Sequence, residues 1–137
     1  MNYRGDLNTE QQNPRSLDID NMDVRDILIT INNEDSHIAD AVKAAIPDIE
    51  KTVKFAVSSI EDGGRVFYVG AGTSGRLGVL DASEIPPTFS ASDDIFIGLI
   101  SGGDEALRRS IEGAEDSSER AISDLEPFDL EERDTLI

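Results

Sequence analysis

The chain has 137 residues, with 12 Lys and Arg against 29 Asp and Glu, giving a formal charge of −17. That length suits one domain, and 38% apolar with 30% charged residues is a globular balance. Cysteine is absent and histidine occurs once, which excludes disulfides, thiolate catalysis, Cys-ligated zinc and a multi-His metal centre.

No run of about 18 apolar residues predicts a membrane span. The opening MNYRGDLNTEQQNPRS has no apolar core of the kind a secretory signal needs. The expected compartment is therefore the cytoplasm, and no membrane partner is expected. Nor is nucleic acid, because phosphate-backbone binding depends on clustered Lys and Arg and here the charge has the opposite sign. A small anion remains open to a local, donor-rich pocket, since salt screens surface charge beyond about 8 Å.

Residues 1–21 read as a polar N-terminal arm, and residues 22–137 as part of one domain. Asp23 can cap a short helix running to about Asn33, with Ile27, Leu28 and Ile31 as its buried stripe. A longer helix is expected from about Ser36 to Ile60. Its apolar residues Ile38, Val42, Ile46, Ile49, Val53, Val57 and Ile60 recur at steps of three and four, which marks one face. Pro47 should kink it. The stripe serves either a core or a second subunit.

Asp62-Gly63-Gly64 ends that helix, and Arg65 to Val69 reads as a strand. A glycine loop from Gly70 to Gly75 leads into a helix from about Ser74. Pro86-Pro87 should stop it near Glu84 or Ile85. Ile95 to Ile100 is a second strand, apolar enough to be buried on both faces. After Ser101-Gly102-Gly103, Asp104 can cap a helix through Leu107 and Ile111 towards Glu115. Ala121, Ile122 and Leu125 suggest a further helical turn or two. Glu126 to Asp134 reads as an exposed connector, and Thr135-Leu136-Ile137 as the opening of a third strand. Helices followed by β-α-β-α-β predict an α/β fold, a parallel sheet covered by helices on both faces.

The chemistry centres on Gly70-Ala71-Gly72-Thr73-Ser74-Gly75. A glycine loop between a strand and a helix presents converging backbone amides and the positive end of the helix dipole, both of which favour phosphate. Thr73 and Ser74 add hydroxyl donors. The string satisfies G-x-G-x-x-G, yet the acidic residue that a dinucleotide fold needs at the end of the next strand is missing. Arg76 rather than Lys follows Gly75, so the loop is not a Walker sequence. A compact phosphorylated metabolite fits better than a nucleotide. Arg76 is read as a phosphate clamp or as the partner of a nearby acid such as Asp81.

The block from Gly70 through Arg76, Leu80, Asp81, Ala82, Ser83 and Glu84 to Pro86-Pro87-Thr88-Phe89 closely resembles the N-acetylmuramic acid 6-phosphate etherases, members of the sugar isomerase (SIS) fold group. The likeness extends upstream through Thr9-Glu10-Gln11 and Asn13-Pro14. Downstream it continues through Gly98-Leu99-Ile100, Gly102-Gly103 and Glu112 to Asp116, and on to Glu132-Arg133-Asp134. The glucokinase regulatory protein shares the fold and much of the loop. One departure is Ile85, where many relatives carry cysteine.

The resemblance implies a three-layer α/β/α SIS-type domain in a homodimer. It also implies that further strands, and a second Ser/Thr-rich phosphate loop, lie beyond Ile137. The implied activity converts N-acetylmuramic acid 6-phosphate to N-acetylglucosamine 6-phosphate and D-lactate. The route is elimination from the open-chain sugar and then water addition, without metal or organic cofactor. The family's proton donor falls on Glu84 and its second acid on Glu115. Two carboxyl groups can divide such work, one taking the proton next to the aldehyde carbon and one protonating the departing oxygen. Gly72, Thr73, Ser74, Gly75 and Arg76 are the expected phosphate ligands, and Ser83 is a candidate substrate contact. Two other readings stand beside this one, a non-catalytic sugar-phosphate-binding regulator and a nucleotide-linked oxidoreductase.

Overall fold

The computed structural model describes residues 11–111, 113 and 117–137. Asp23 is an extended N-cap whose side chain accepts from the Asp26 amide, and helix α1 runs Val24–Asp35, as its sequence signals predict. Helix α2 follows over Ile38–Glu61, with Pro47 accommodated inside it. The chain divides into two compact units, one ending at Ile49 and one spanning Glu50–Ile137.

In the first unit, two short 3₁₀ turns at Pro14–Ser16 and Ile19–Asn21 give the described part of the arm local order. They are tied to α1 by Glu34, which accepts from Asn13 Nδ2 at 2.7 Å and from the Arg15 guanidinium. Those donors hold the Glu34 carboxyl at about 2. Among the described residues, much of both apolar stripes is exposed, while Ile27 and Ile60 are half-buried. Leu28 and Ile31 on α1, and Ile38, Val42, Ile46, Ile49, Val53 and Val57 on α2, are all exposed.

The second unit is built on a three-stranded parallel sheet of order β2-β1-β3, with β1 Val66–Gly70, β2 Phe96–Ile100 and β3 Thr135–Leu136. Val66 pairs with Phe96 and Gly70 with Ile100 on one side, while Val66 pairs with Thr135 on the other. The central strand is the most buried, with Val66 and Phe67 fully enclosed. Strand β2 is less covered than its composition predicts. Ile100 alone is buried, and Phe96 to Leu99 are half-buried.

Helix α3, Gly72–Phe89, packs across β1 and β2. It runs through Pro86 and Pro87 instead of stopping before them. Each proline removes one amide donor, but its fixed φ is compatible with a helix, and the stop comes at Ser90 in the left-handed region (φ +54°).

Helix α4 is Gly103–Arg108, capped by Gly102 rather than Asp104. It ends well short of position 115, because Arg109 is already extended. Helix α5, Ser118–Leu125, is capped by Ser117. Glu126 to Asp134 is no simple exposed connector: Phe128 meets Phe67 edge-on at 5.6 Å and the side chain of Asp134 is enclosed. No described helix is long and apolar enough to cross a membrane.

Candidate functional site

Strand β1 delivers the chain to Ala71, an extended N-cap (φ −115°, ψ 160°) whose side chain offers no acceptor. Gly72 then turns with φ +53°, a conformation that a side chain would strain. The first backbone bond of α3 joins Gly75 N–H to Ala71 O at 3.1 Å. Among the described residues, no backbone oxygen accepts from the amides of Gly72, Thr73 or Ser74. These three N–H groups stand at the positive end of an 18-residue helix, the arrangement that attracts anions.

Gly72 and Thr73, but not Ser74, border a cavity of about 210 Å³ whose other lining residues are Arg76, Ser101, Arg109 and Ser110, with Ala106 and Ile111. Whole small-ligand sites span about 300–1,000 Å³, so this hollow suits a phosphoryl end rather than an entire amino sugar. Ser101, Arg109 and Ser110 had not been singled out from the sequence. Ser101 could have been, since it ends the strand beside β1.

Arg76 does not pair with Asp81. Its Nη2 donates to Ala106 O at 2.7 Å and Arg109 O at 3.3 Å, and its Nε to Leu107 O at 3.2 Å. The guanidinium thus closes the C-terminal end of α4, where a cation is favoured, and forms one wall of the cavity. Asp81 instead hydrogen-bonds Tyr68. Burial, and then that bond, push the Tyr68 hydroxyl up to about 12.

Gly75 faces the sheet, and a Cβ there would lie 2.6 Å from Gly70 O and 2.7 Å from Ile100 Cγ1. Its missing side chain lets α3 approach β1, and its amide is already engaged. Gly75→Ala should therefore cost about 2 kcal/mol through overpacking. Thermal unfolding checks this, and an unchanged midpoint would contradict the assigned close approach.

Glu84 lies on α3 twelve residues after Gly72, and its side chain is exposed. Ser83 is exposed too, its hydroxyl donating to Leu80 O at 2.8 Å. Glu115 lies outside the described residues, so the geometry of a Glu84–Glu115 pair is not defined. The phosphate loop and Glu84 sit at opposite ends of α3. Among the described residues, no cluster of three or more His, Cys, Asp or Glu side chains could hold a metal ion.

Comparison with known proteins bears on this arrangement. The chain is 48% identical over 98% of its length to N-acetylmuramic acid 6-phosphate etherase 1 of Bacillus licheniformis. It is 54% identical over 87% of its length to the N-acetylmuramic acid 6-phosphate etherase of Christiangramia forsetii. The same-named protein of Salmonella dublin is 45% identical over 97%. These matches cover 44%, 43% and 45% of the respective relatives, so the chain spans less than half of their length. Residues 48–137 match the profile of the glucokinase regulatory protein N-terminal SIS domain. That match takes in the whole sheet, the glycine loop and α3, and the chain belongs to this SIS-domain family.

Proposed function

We propose that the protein is a carbon–oxygen lyase that cleaves the D-lactyl ether of N-acetylmuramic acid 6-phosphate. The products are N-acetylglucosamine 6-phosphate and D-lactate. The reading places it in the cytoplasm as a homodimer that recycles cell-wall amino sugars without a metal or organic cofactor. One observation carries the proposal. Three amides without backbone acceptors open α3, two of them at a phosphoryl-sized cavity, in a chain whose similar relatives are named as etherases of this substrate.

In this reading Gly72, Thr73 and Ser74 hold the phosphoryl group. Gly75 allows the close approach, and Arg76 sets the cavity wall. Ser83 is the neighbouring hydroxyl. Glu84 is the general acid and Glu115 the general base. Glu115 takes the proton next to the aldehyde carbon as the bond from C3 to the lactyl oxygen breaks. Glu84 gives its proton to that oxygen, and water then adds at C3.

The test is incubation of the protein with N-acetylmuramic acid 6-phosphate and enzymatic assay of D-lactate. Release in proportion to substrate consumed is expected. A second reading, a sugar-phosphate-binding regulator, is favoured by the name of the matching domain family. Tight sugar-phosphate binding with no D-lactate would select it.

A further inference from the structure

We infer that the phosphoryl cavity is one half of a longer cleft, and that Asp124 receives hydroxyl groups of the sugar in the other half. The nature of the ligand rests on the sugar-phosphate reading; its course rests on the carboxyl ends of β1 and β2. A second cavity of about 190 Å³ lies there, lined by Gly70, Ala71 and Ser101 at the strand ends and by Ser117, Ala121 and Asp124 of α5 and its cap. Ser101 lines the phosphoryl cavity too, so the two hollows share a wall. At that wall Ser101 N–H donates to Gly70 O at 2.9 Å, where β1 and β2 end. The second hollow nearly doubles the room and brings it towards the roughly 300–1,000 Å³ of a whole small-ligand site. The crevice outside the carboxyl ends of parallel strands is where α/β sheets take their ligands.

The inward face of α5 gives this hollow its chemistry. Ser117, Ala121 and Asp124, at steps of four and three, share one side of the helix and are half-buried. The same helix leaves Ile122 62% exposed. An apolar residue outside and a carboxylate inside is the reverse of what core packing alone selects. The Ser117 hydroxyl is already engaged, accepting from Arg120 N–H and donating to Glu119 Oε2, both at 3.2 Å. Among the described residues, the Asp124 carboxylate has neither a hydrogen-bond donor nor an ion-pair partner.

A carboxylate only accepts hydrogen bonds. It suits the hydroxyl and N–H donors of an amino sugar, and it repels both the phosphoryl group and the lactyl carboxylate. With phosphorus at the amides of Gly72 and Thr73, the C5 and C4 oxygens of an open-chain hexose phosphate lie four and five bonds away, about 5–6 Å. Those hydroxyls fall beyond the phosphoryl group, on the side of Ser101 that Asp124 lines. The two ends of the cleft have opposite preferences, and together they set the direction in which the sugar lies.

Two probes separate the halves. Inorganic phosphate fills only the first hollow, and N-acetylglucosamine 6-phosphate fills both. Asp124→Ala should weaken binding of the sugar phosphate by about tenfold, the loss of a hydrogen bond to a charged group. It should leave inorganic phosphate bound as before or slightly more tightly, because a negative charge has gone. Ala121→Leu, which fills the second hollow, should discriminate between the probes in the same direction. Should Asp124→Ala not fold, Asp124→Asn keeps the shape with a single acceptor oxygen. It should cost the sugar phosphate about threefold and inorganic phosphate nothing.

An equal loss for both probes would show that Asp124 merely supports α5, and an unchanged affinity for the sugar phosphate would leave the second hollow without a ligand. Either result overturns the inference, as does a wild type that binds the sugar phosphate no more tightly than inorganic phosphate. The D-lactate assay keeps the etherase reading apart. Discrimination between the probes without lactate release from the wild type removes that reading and leaves the cleft. Lactate release by Asp124→Ala with an unchanged KM does the reverse.

Discussion

Glu84→Gln is expected to lower D-lactate release by about 10²–10⁴-fold, the usual contribution of a positioned proton donor, while sugar-phosphate binding changes little. The substitution keeps the size and polarity of the side chain and removes only the transferable proton. Lactate leaves as an alkoxide unless its oxygen is protonated as the bond to C3 breaks, so the loss should fall on kcat. In the proposed reading the phosphoryl group is held by the first amides of α3 and not by Glu84, so KM should move by less than about threefold. Steady-state lactate assays and direct titration with glucosamine 6-phosphate separate the two effects. Loss of binding with proportionate loss of turnover would reassign Glu84 to substrate binding. Unchanged turnover would remove it from the chemistry. The Glu115→Gln variant should instead lose solvent exchange at the carbon next to the aldehyde, and normal exchange would withdraw the base assignment.

The strand-loop-helix unit was readable because its signals are local. Arg65 to Val69 is β-branched and aromatic, the glycines follow at once, and the apolar steps of α3 follow them. The Asp23 cap and the parallel order of the sheet were legible for the same reason. The path of α3 through Pro86 and Pro87 was not, since a proline pair signals a stop unless tertiary packing holds the last turn. The short reach of α4 escaped because Leu107 and Ile111 keep a helical spacing although Arg109 is extended.

Periodicity revealed the stripe on α2 but not what covers it, because an apolar face has the same pattern whether it meets a core or a partner. The role of Arg76 was equally out of reach. Its acceptors are backbone carbonyls about thirty residues away, and carbonyls leave no mark in a sequence. The separation of Glu84 from the loop, by contrast, follows from counting residues once the helix is known to be continuous. Glu84 and Glu115 are too far apart in sequence to share a helix face, so the sequence leaves their meeting to the fold or to a neighbouring subunit.

The hardest residue to foresee was Asp134, placed by its surroundings in an exposed acidic run. Its side chain is 2% exposed and joins the start of β1 to the segment that leads into β3. Its Oδ1 accepts from Arg65 N at 2.8 Å and Nε at 3.2 Å. Its Oδ2 accepts from Arg65 Nη2 at 2.6 Å and Glu131 N at 2.9 Å. The Arg65 guanidinium also lies 4.9 Å from the Phe67 ring centre.

Asp134→Asn retains the shape but turns an amide donor towards groups that are themselves donors. With the Arg65 charge left without its partner, the cost should be about 3 kcal/mol, or roughly 10 °C in the thermal midpoint. The pH dependence has a definite sign. The hydrogen bonds from Arg65 hold the Asp134 carboxyl at about 2 in the folded chain, against an ordinary 3.8. Its contribution is therefore complete above about pH 4 and fades as pH falls from there towards about 2. Glu34, held at about 2 by Arg15 and Asn13, titrates in the same window in both proteins. The difference in midpoint between wild type and Asp134→Asn cancels it. That difference should be largest near pH 6 and shrink steadily below pH 4. A difference that stays constant down to pH 2 would show that the buried pair contributes through packing alone.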